Sequence, residues 1–404
     1  MTKKFNELGL TKELLSTLNR IGFETPTEIQ SKVIPESLLG KDIIGKSATG
    51  SGKTLAFGAS IIEKIKKNNS SQALILVPTR ELAQQVSKSL KIFSQNFNFN
   101  IVPIYGGVSI EPQIKHLRTA EIIVGTPGRI LDHIERRTID LSKINFLVLD
   151  EADRMLDMGF IYDVVKIIEK CPQKRQTFLF SATISEDVKR ISRKYMAHPL
   201  EVSVKDQVDP SKLEQIFYEV RSSEKFSLLV ALLKDENSKH VMVFCNTKRN
   251  ADFTAKNLQR YGLNALALHG DLNQNKRNRV MEQFHNKEIT ILVCTDVASR
   301  GIDVKNISHV YNYDVPKTSI EYIHRIGRTA RAGKEGKAIT ILSERDYENF
   351  RNVEKEKSLN IKRAELPKFE IIFAKSPERK REWRNNNFRN KRFNNRNKFH
   401  RRRY

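Results

Sequence analysis

At 404 residues, 39% of them hydrophobic, the chain is too long for one typical core, and two folded domains with tails are expected. The formal charge of +24 and the pI near 9.8 indicate an anionic partner, either nucleic acid or a membrane surface. The three cysteines argue against a disulfide framework and fit core residues in a reducing compartment. Because the N-terminal MTKKFNELGL lacks an apolar run of signal-peptide length, a cytoplasmic protein is expected.

Short apolar runs flanked by turn residues recur along the chain, with helical patterns between them. Four lie in the first half, at 73–79, 121–127, 146–152 and 177–183, and four in the second, at 241–247, 265–270, 291–296 and 338–343. Continuous apolar strands of this kind are typical of parallel sheets covered by helices on both faces. A weakly patterned stretch at 198–215 separates the two sets. We therefore expect an α/β domain on either side of a boundary near 204–212.

The stretch KSATGSGKT follows a short apolar run and precedes another, which is the place of a phosphate-binding loop. Gly50 and Gly52 let backbone N–H groups converge on phosphate oxygens, and Lys53 supplies a cation. Thr54 suits Mg²⁺. The strict pattern has glycine at the position of Ser47. A plain Gly/Ser turn is the alternative, which the order of strand, loop, GKT and helix disfavours.

The run FLVLDEADRM reads as a buried strand followed by three carboxylates. Like charges so close together repel each other, so a use for them is expected. Opposite a triphosphate, Asp150 can hold Mg²⁺ through water, and Glu151 can orient or deprotonate the attacking water. Asp153 can accept hydrogen bonds from Ser181 and Thr183, at the end of another apolar strand. A helix N-cap cluster is the alternative interpretation of these acids.

The second half has a strand, turn and helix at FCNTKRNAD (244–252), which we interpret as the counterpart of the phosphate loop, although it has no GK[ST]. One nucleotide per chain is therefore expected, in the cleft between the domains. The stretch HRIGRTARAG contains Arg328 and Arg331, three residues apart, which can share a helical face and reach a γ-phosphate as arginine fingers. A solvated basic face is the alternative for either arginine.

From Arg379 the composition changes to RKREWRNNNFRNKRFNNRNKFHRRRY, with 12 Lys/Arg, seven Asn and one Glu. Such a segment buries too little apolar area to offset its ordering entropy, so a disordered basic tail is expected. Its aromatic residues recur every five or six positions among arginines, which favours stacking on unpaired bases. A solvated charge run without a specific use is the alternative.

Together these stretches resemble the DEAD-box family of RNA helicases, of the bacterial type, from Phe5 to about residue 345. The matching motifs, in the family's order, are GFETPTEIQ, ATGSGKT, PTRELAQQ, Gly106-Gly107, TPGR, DEAD, SAT, FCNT, HGDLNQNKR, TDVASRGID and HRIGRTARAG. The resemblance implies an α/β fold of two tandem RecA-like P-loop domains with parallel sheets, plus the disordered basic tail. The implied segments are 1–31 for adenine recognition, 32–205 for the ATP-binding domain, 212–372 for the C-terminal domain and 373–404 for an RNA-binding tail.

The resemblance also implies roles for single residues, with Gln30 reading the adenine edge, Phe5 stacking on it and Asp303 meeting the ribose. The implied ATP-binding residues are Phe5, Thr27, Gln30, Ser47, Ala48, Thr49, Gly50, Ser51, Gly52, Lys53, Thr54, Gly301 and Asp303. Those expected to couple the ATP and RNA sites are Asp153, Ser181, Thr183 and His324. Those expected to hold RNA phosphates are Arg80, Gly107, Thr126, Arg129, Thr247 and Thr295.

The implied activity is that of an RNA-dependent ATPase that takes ATP, Mg²⁺ and RNA, and separates strands locally when the domains close. Contacts to phosphate and sugar predict weak sequence preference. An ATP-gated RNA clamp or RNA chaperone has the same motifs and stays open as an alternative. A DNA helicase and a membrane role for the tail are weaker alternatives. Ribosome-assembly or RNA-decay factors are candidate protein partners.

Overall fold

A computed structural model of the chain describes residues 4–47, 50–204, 213–235, 240–299, 307–330 and 335–375. Some residues with a predicted role lie outside these ranges, namely Ala48, Thr49, Gly301, Asp303 and Arg331. The tail from residue 376 onward also lies outside them. The roles assigned to these residues therefore stay predictions.

The first domain is built on a parallel sheet that lies between two layers of helices. Its strands are β1 Ile43–Lys46, β2 Ala73–Leu76, β3 Ile101–Ile104, β4 Ile122–Gly125, β5 Phe146–Leu149, β6 Gln176–Ser181 and β7 Leu200–Ser203. They lie in the order β3-β4-β2-β5-β6-β1-β7, all parallel. On β2, Ala73 and Ile75 face one core cluster and Leu74 and Leu76 face the other, so the strand is buried on both faces.

The second domain repeats this architecture. Its strands are β8 Leu213–Glu219, β9 Val241–Phe244, β10 Ala265–Leu268, β11 Ile291–Cys294, β12 His309–Asn312, β13 Gly336–Leu342 and β14 Lys362–Arg363. They lie in the order β10-β11-β9-β12-β13-β8-β14, again all parallel. Counted from the first strand of each domain, the two orders are identical. The predicted pair of parallel α/β domains is confirmed, and each of the eight predicted strand runs overlaps a strand.

Two helices precede β1, the others lie between consecutive strands, and together they cover both faces of each sheet. Those of the first domain are α1 Lys12–Arg20, α2 Glu28–Leu38, α3 Lys53–Lys64, α4 Arg80–Phe93, α5 Glu111–Leu117, α6 Pro127–Glu135, α7 Ala152–Asp157, α8 Ile161–Ile168 and α9 Glu186–Tyr195. Those of the second are α10 Lys225–Asp235, α11 Lys248–Arg260, α12 Gln274–His285, α13 Asp296–Ser299, α14 Ser319–Ile326 and α15 Tyr347–Glu354. A short 3-10 turn, Phe5–Glu7, precedes α1.

Helices that follow a strand often begin at a threonine cap. The Thr79 hydroxyl accepts a hydrogen bond from the Leu82 backbone N–H at the start of α4. The Thr247 hydroxyl accepts one from the Asn250 N–H at the start of α11. Each cap satisfies an N–H that the helix itself leaves without a partner. Both helices thus begin at the carboxyl edge of their sheet, the edge at which ligands bind in parallel α/β folds.

The strand order corrects one interpretation of the sequence. FCNTKRNAD connects β9 to α11, and β9 occupies the place in its sheet that β2 occupies in the first. The segment is therefore the counterpart of PTRELAQQ, which connects β2 to α4, and not of the phosphate loop. The true counterpart of the phosphate loop connects β8 to α10. The prediction was wrong because β8, the first strand of the second domain, mixes polar and apolar residues and gives no continuous apolar run, so the sequence pattern starts that domain at β9.

An extended segment after β14 packs on the second domain. The Ser227 hydroxyl donates to the Ile372 carbonyl at 3.1 Å and accepts from the Ile372 N–H at 3.0 Å. The Lys375 N–H donates to the Asn257 side chain at 3.0 Å, and the Tyr261 hydroxyl donates to the Phe373 carbonyl at 3.1 Å. Residues 373–375, which were predicted to belong to the tail, therefore contact the folded domain.

Two further expectations concern single residue types and the membrane. Cys171, Cys245 and Cys294 are all buried and free, so the expectation that they are core residues is confirmed. Burial raises the pKa of the Cys171 thiol to about 11, so it stays protonated near neutral pH. Within the described ranges, no helix is both long enough and apolar enough to cross a bilayer.

Candidate active site and RNA-facing loops

The phosphate loop leaves β1 and runs into the first turn of α3. Gly50 and Gly52 have left-handed backbone angles, φ +87° and +94°, which favour glycine. Lys53 is the first residue of α3, and its Nζ donates to the Ser47 carbonyl at 3.4 Å. The Ser51 hydroxyl donates to that of Ser47 at 3.2 Å. The described part of the loop thus curls around its lysine at a helix N-terminus, a geometry that suits an anion.

The segment predicted to read adenine braces this loop. The Thr27 hydroxyl donates to the Ser51 carbonyl at 2.8 Å, and the Gln30 Nε2 donates to the Gly52 carbonyl at 3.1 Å. The Gln30 Oε1 accepts from the Thr27 N–H at 2.9 Å, so each end of the amide has one partner. A Cβ at Gly52 would lie 2.5 Å from Gln30 Nε2, so only glycine lets the two segments approach this closely.

Phe5, the predicted stacking partner of adenine, is only 4% exposed. Its ring centroid lies 6.4 Å from that of Phe23. Phe5 belongs to the core cluster on the α1 to α4 side of the sheet, and the partly buried Phe23 packs against that cluster. The structure therefore places the ring in the core, and stacking on a base requires the base to reach its edge or the 3-10 turn to move.

The predicted acids lie at the carboxyl end of β5, opposite the phosphate loop. The Asp150 Oδ1 lies 3.7 Å from the Lys53 Nζ, and both side chains are more than nine-tenths buried. Burial raises the pKa of Asp150, and the Lys53 ammonium partly opposes this. Glu151 has φ +53° and ψ +49°, a left-handed conformation that is rare for a non-glycine residue. Its carboxylate forms an ion pair with Arg154 at 2.8 Å.

Asp153 joins the acidic segment to the end of β6. Its Oδ2 accepts from the backbone N–H groups of Ala182 and Thr183, at 3.1 and 2.8 Å, and from the Thr183 hydroxyl at 3.0 Å. The predicted hydrogen bond from Thr183 is thus present. Ser181 differs from the prediction, because its hydroxyl accepts from the Asp153 N–H at 3.2 Å and donates to the Thr183 carbonyl at 2.7 Å. Ser181 therefore fixes the backbone of Asp153 and not its carboxylate.

The second domain brings α14 to the same cleft. A narrow gap between the domains is lined by Arg154 of the first domain and by His324 and Arg328, among others, of the second. Burial, reinforced by the charge of Arg154, lowers the pKa of His324 to about 4, so its ring is neutral near pH 7. Arg328 is 4% exposed. The structure thus brings His324 and Arg328 next to the acidic segment.

The predicted RNA-binding residues of the first domain lie at the carboxyl ends of its strands. The Arg80 guanidinium lies directly against Gly107, whose φ is +78°, and a Cβ at Gly107 would collide with it. Both Nη atoms of Arg129 donate to the Val108 carbonyl, at 3.3 and 3.2 Å. Thr126 is the N-cap of α6 and is half-buried. Three separate loops therefore meet on one side of the cleft.

The corresponding loops of the second domain face them across the cleft. Arg80 donates to the Gln274 side chain at 3.2 Å, and Arg277 forms an ion pair with Glu81 at 2.6 Å. The predicted RNA-binding residue Thr295 follows β11 and is nearly buried. Gln274, Arg277 and Glu81 were not predicted as site residues, although they lie inside the motifs HGDLNQNKR and PTRELAQQ. The motifs marked these segments as functional, but the contacts between Arg80 and Gln274 and between Arg277 and Glu81 depend on how the two domains are placed.

Arg325 is a further residue that sequence reasoning missed, although it lies in the predicted arginine motif. Its guanidinium is 1% exposed and lies over the Phe244 ring at 5.2 Å. It donates five hydrogen bonds, to both carboxylate oxygens of Asp296, the side-chain oxygens of Asn246 and Asn312, and the Asp314 carbonyl. Since Asn246 precedes Thr247 and Asp296 follows Thr295, Arg325 links α14 to both predicted RNA loops of this domain.

Comparison with known proteins agrees with this geometry. The DEAD/DEAH box helicase model matches residues 27–191, and the helicase conserved C-terminal domain model matches 224–333. The chain is 46% identical over 374 residues to the ATP-dependent RNA helicase CshA of Listeria monocytogenes, covering 92% of this chain and 72% of the relative. It is 45% identical to the DEAD-box ATP-dependent RNA helicase CshA of Geobacillus kaustophilus, covering 90% and 78%.

Solved structures agree with the tandem fold. Dbp5 of S. cerevisiae bound to RNA and ADP BeF3 is 30% identical, with TM-score 0.81, covering 90% of this chain and 95% of that one. The DEAD box protein of Methanococcus jannaschii is 44% identical but has TM-score 0.55, covering 90% and 100%. The tandem RecA-like fold is confirmed, and the chain belongs to the DEAD-box family of ATP-dependent RNA helicases.

Proposed function

We propose that ATP binds in the cleft between the phosphate loop and α14, and that its hydrolysis controls the grip of both domains on one RNA strand. One observation carries this proposal. Lys53, Asp150 and Glu151 lie at the carboxyl edge of the first sheet, and His324 and Arg328 of the other domain lie next to this acidic segment. A triphosphate between them would meet cations from both domains.

The Gln30 side chain retains the hydrogen-bonding groups that its proposed adenine-reading role needs. A glutamine amide has two N–H donors and two oxygen lone pairs, and each end of Gln30 has used one. One donor and one acceptor remain, which is what a bidentate pair with the adenine edge needs. The same side chain would then contact both the base and the Gly52 carbonyl of the phosphate loop. Asp303 is proposed to meet the ribose from the second domain.

Mg²⁺ is the metal that the site residues fit. The Thr54 hydroxyl and the Asp150 carboxylate are hard oxygen donors, the kind that Mg²⁺ prefers, and Mg²⁺ commonly retains waters and phosphate oxygens beside them. Asp150 is buried with the Lys53 ammonium at 3.7 Å, beyond direct hydrogen-bond distance, so a divalent cation would compensate its charge. When bound, the ion would neutralise charge on the β- and γ-phosphates.

The remaining roles follow from position. Glu151 is held by its ion pair with Arg154, so its carboxylate is oriented before any substrate arrives, and we assign to it the orientation of the attacking water. Arg328, with Arg331, is assigned to the γ-phosphate, where a cation stabilises the charge of the transition state. Asp153 connects this centre to Ser181 and Thr183, and so to the backbone after β6.

RNA is proposed to lie along the loops of Arg80, Gly107 and Arg129 in the first domain, and of Thr247 and Thr295 in the second. The complexes of Dbp5 and Mss116p with RNA, TM-scores 0.81 and 0.80, support RNA as the ligand of this fold. Closure across these loops would bend the strand and separate a short duplex. An ATP-gated clamp without strand separation remains the second candidate, favoured by the tight cross-domain pair of Arg277 and Glu81.

Two variants test the nucleotide site. Lys53→Ala is expected to weaken ATP binding, whereas Glu151→Gln is expected to retain binding and stall RNA-stimulated turnover. Equal loss of ATP affinity in both variants would contradict the assignment. A strand-displacement assay on a short RNA duplex, with ATP or with a non-hydrolysable analogue, then separates the two candidate functions. Displacement that needs ATP supports the helicase, and RNA retention without displacement supports the clamp.

The basic tail is proposed to tether RNA. Deleting 379–404 is expected to weaken RNA affinity and flatten its salt dependence, by a slope of about 0.7 for each phosphate of single-stranded RNA that the tail had neutralised. ATPase activity at saturating RNA is expected to stay near wild type, because every proposed catalytic residue precedes Arg379. If the chain without 379–404 binds RNA as tightly as wild type, the tail is a solvated charge run without a specific use. Ribosome-assembly or RNA-decay factors are the proposed protein partners, and the cytoplasm is the proposed location.

A further inference from the structure

The RNA-facing loops of the first domain come from three distant parts of the chain. Arg80 begins α4, Gly107 lies in the loop after β3, and Arg129 lies in the first turn of α6. Each loop follows a different strand, so the sheet alone fixes only where each loop starts. Holding one phosphate each at a constant spacing needs a further connection between them, because a displacement of about 1 Å is enough to disturb a positioned group.

A chain of hydrogen bonds supplies this connection behind the loops. The Gln84 Nε2 on α4 donates to the Tyr105 hydroxyl at 2.6 Å. Tyr105 directly precedes Gly106 and Gly107, and its carbonyl accepts from the Gln113 Nε2 on α5 at 3.0 Å. The Gln113 Oε1 contacts the His133 Nε2 on α6 at 3.4 Å. The chain therefore runs from the helix of Arg80, through the Gly107 loop, to the helix of Arg129.

The direction of these hydrogen bonds follows from chemistry. Because the amide nitrogen of Gln113 donates to the Tyr105 carbonyl, its oxygen faces His133, and Nε2 of the ring must carry the hydrogen. The Nδ1 then carries no hydrogen and lies 2.7 Å from the Thr138 hydroxyl, whose one hydrogen is shared between Nδ1 and the His133 carbonyl at 3.2 Å. Burial, with the charge of Arg129 added, lowers the pKa of His133, which keeps the ring neutral near pH 7. A neutral ring has the one donor and one acceptor that this arrangement uses.

We propose that Gln113 and His133 are positioning residues for RNA, which hold the Gly106-Gly107 loop against the α6 loop so that Arg80, Gly107 and Arg129 grip successive phosphates. The inference rests on the proposed RNA-binding role of those three residues. Neither Gln113 nor His133 reaches RNA itself, since the exposed fractions are 6% and 0%. Their effect is on the spacing of the loops.

Burial with hydrogen bonds is common in this domain, and a matched residue separates positioning from plain stability. Gln72 is also 6% exposed, and its amide forms hydrogen bonds with Lys66 and Asn68. It precedes β2, at the amino edge of the sheet, and its partners carry no predicted RNA contact. Gln72→Leu and Gln113→Leu thus remove similar buried amides from opposite edges of one sheet.

The test measures the affinity of the full chain for a single-stranded RNA oligonucleotide by fluorescence anisotropy, with a non-hydrolysable ATP analogue, and RNA-stimulated ATPase beside it. Gln113→Leu is expected to weaken RNA affinity about 3- to 10-fold, the effect of removing one hydrogen bond, with turnover at saturating RNA retained. His133→Leu is expected to match it, and the double variant to be no worse than either. Gln72→Leu is expected to leave RNA affinity unchanged.

Rescue and a milder variant guard against misfolding. A glutamine at position 133 can place its amide nitrogen where Nε2 of the ring lies, so His133→Gln is expected to restore affinity. Tyr105→Phe, at a half-buried ring, removes only the hydroxyl that Gln84 contacts and is expected to give a smaller loss. Wild-type affinity in folded Gln113→Leu, or an equal loss in Gln72→Leu, would overturn the inference alone. If RNA does not stimulate the ATPase activity of the wild-type chain, the proposed function and the inference are both wrong.

Discussion

The two domains share one strand order but differ at the connection where nucleotide chemistry is expected. After β1, the loop leads to Lys53 at the start of α3; after β8, the equivalent connection leads to Lys225 at the start of α10. Both lysines are 7% exposed, and both approach a carboxylate at the sheet's carboxyl edge. Each domain therefore has a lysine at the start of the helix that follows its first strand.

The difference lies in how tightly the carboxylate holds the lysine. Lys225 pairs with Asp346 at 2.7 Å, and the same Asp346 oxygen accepts from the Ser343 N–H and hydroxyl. Lys53 is 3.7 Å from Asp150, on a glycine-rich loop. An anion can bind the ammonium of a loosely paired lysine, whereas the ammonium of a closely paired buried lysine already has its counter-charge. The comparison teaches that pairing, and not the presence of the lysine, separates a binding loop from a structural one.

The largest expected effect tests whether the second domain acts on ATP only from across the cleft. Arg328→Ala is expected to reduce RNA-stimulated turnover by about 10³- to 10⁵-fold, because a finger arginine stabilises charge that appears in the transition state. Single-turnover hydrolysis at saturating RNA measures it. Arg351→Ala, an exposed arginine on α15 of the same domain, is the control. Wild-type turnover in Arg328→Ala would return this residue to a structural role.

The next effect tests the structural assignment of Lys225. Lys225→Met leaves Asp346 buried without its cation, which is expected to lower the free energy of unfolding by about 3–5 kcal/mol. Adding Asp346→Leu is expected to recover most of this loss, since no unpaired charge is then buried. Urea unfolding of the full chain, followed by hydrogen exchange in β8 and β13, measures both. Loss of ATP binding with unchanged stability would reverse the comparison.

A third prediction concerns the ion pair that joins the two domains. Arg277→Ala is expected to destabilise the closed arrangement by about 1.5–3 kcal/mol, the range for a hydrogen bond between charged groups. Distance measurements between fluorophores on the two domains, with RNA and an ATP analogue, report closure. Arg279→Ala on the same helix is exposed and serves as the control. The exchanged pair Glu81→Arg with Arg277→Glu should regain part of the closure, and equal closure in Arg277→Ala and wild type would contradict the role.

The fourth effect, which is small for any single pH unit, is a pH dependence of closure. In this structure, where His324 is buried next to Arg154 of the first domain, its pKa is about 4, against an ordinary value near 6.5. The closed form therefore binds fewer protons between these values, and closure weakens as pH falls through this window, by up to about 1.4 kcal/mol per unit. His324→Gln is expected to flatten the dependence, with exposed His285→Gln as control. An unchanged slope in His324→Gln would show that the ring stays buried when the cleft opens.

Much of the site was predictable because parallel strands bring their carboxyl ends together. Lys53 and Asp150 belong to motifs far apart in sequence, yet both follow buried strands, and their meeting follows from the fold class. The pair of Lys225 and Asp346 was not predictable, because β8 mixes polar and apolar residues. The sequence pattern therefore indicates neither this strand nor its place in the sheet. Contacts across the cleft need the domain arrangement as well.

The backbone of Glu151 carries a further consequence. A left-handed conformation at a non-glycine residue costs on the order of 1–3 kcal/mol, and glycine or asparagine would relieve that cost. The carboxylate assigned to the attacking water thus occupies a position where the fold would gain from its removal. Selection for thermal stability alone would favour replacing the glutamate at position 151. Stability and turnover thus make opposite demands on this one residue. Libraries meant to harden this enzyme should keep position 151 constant.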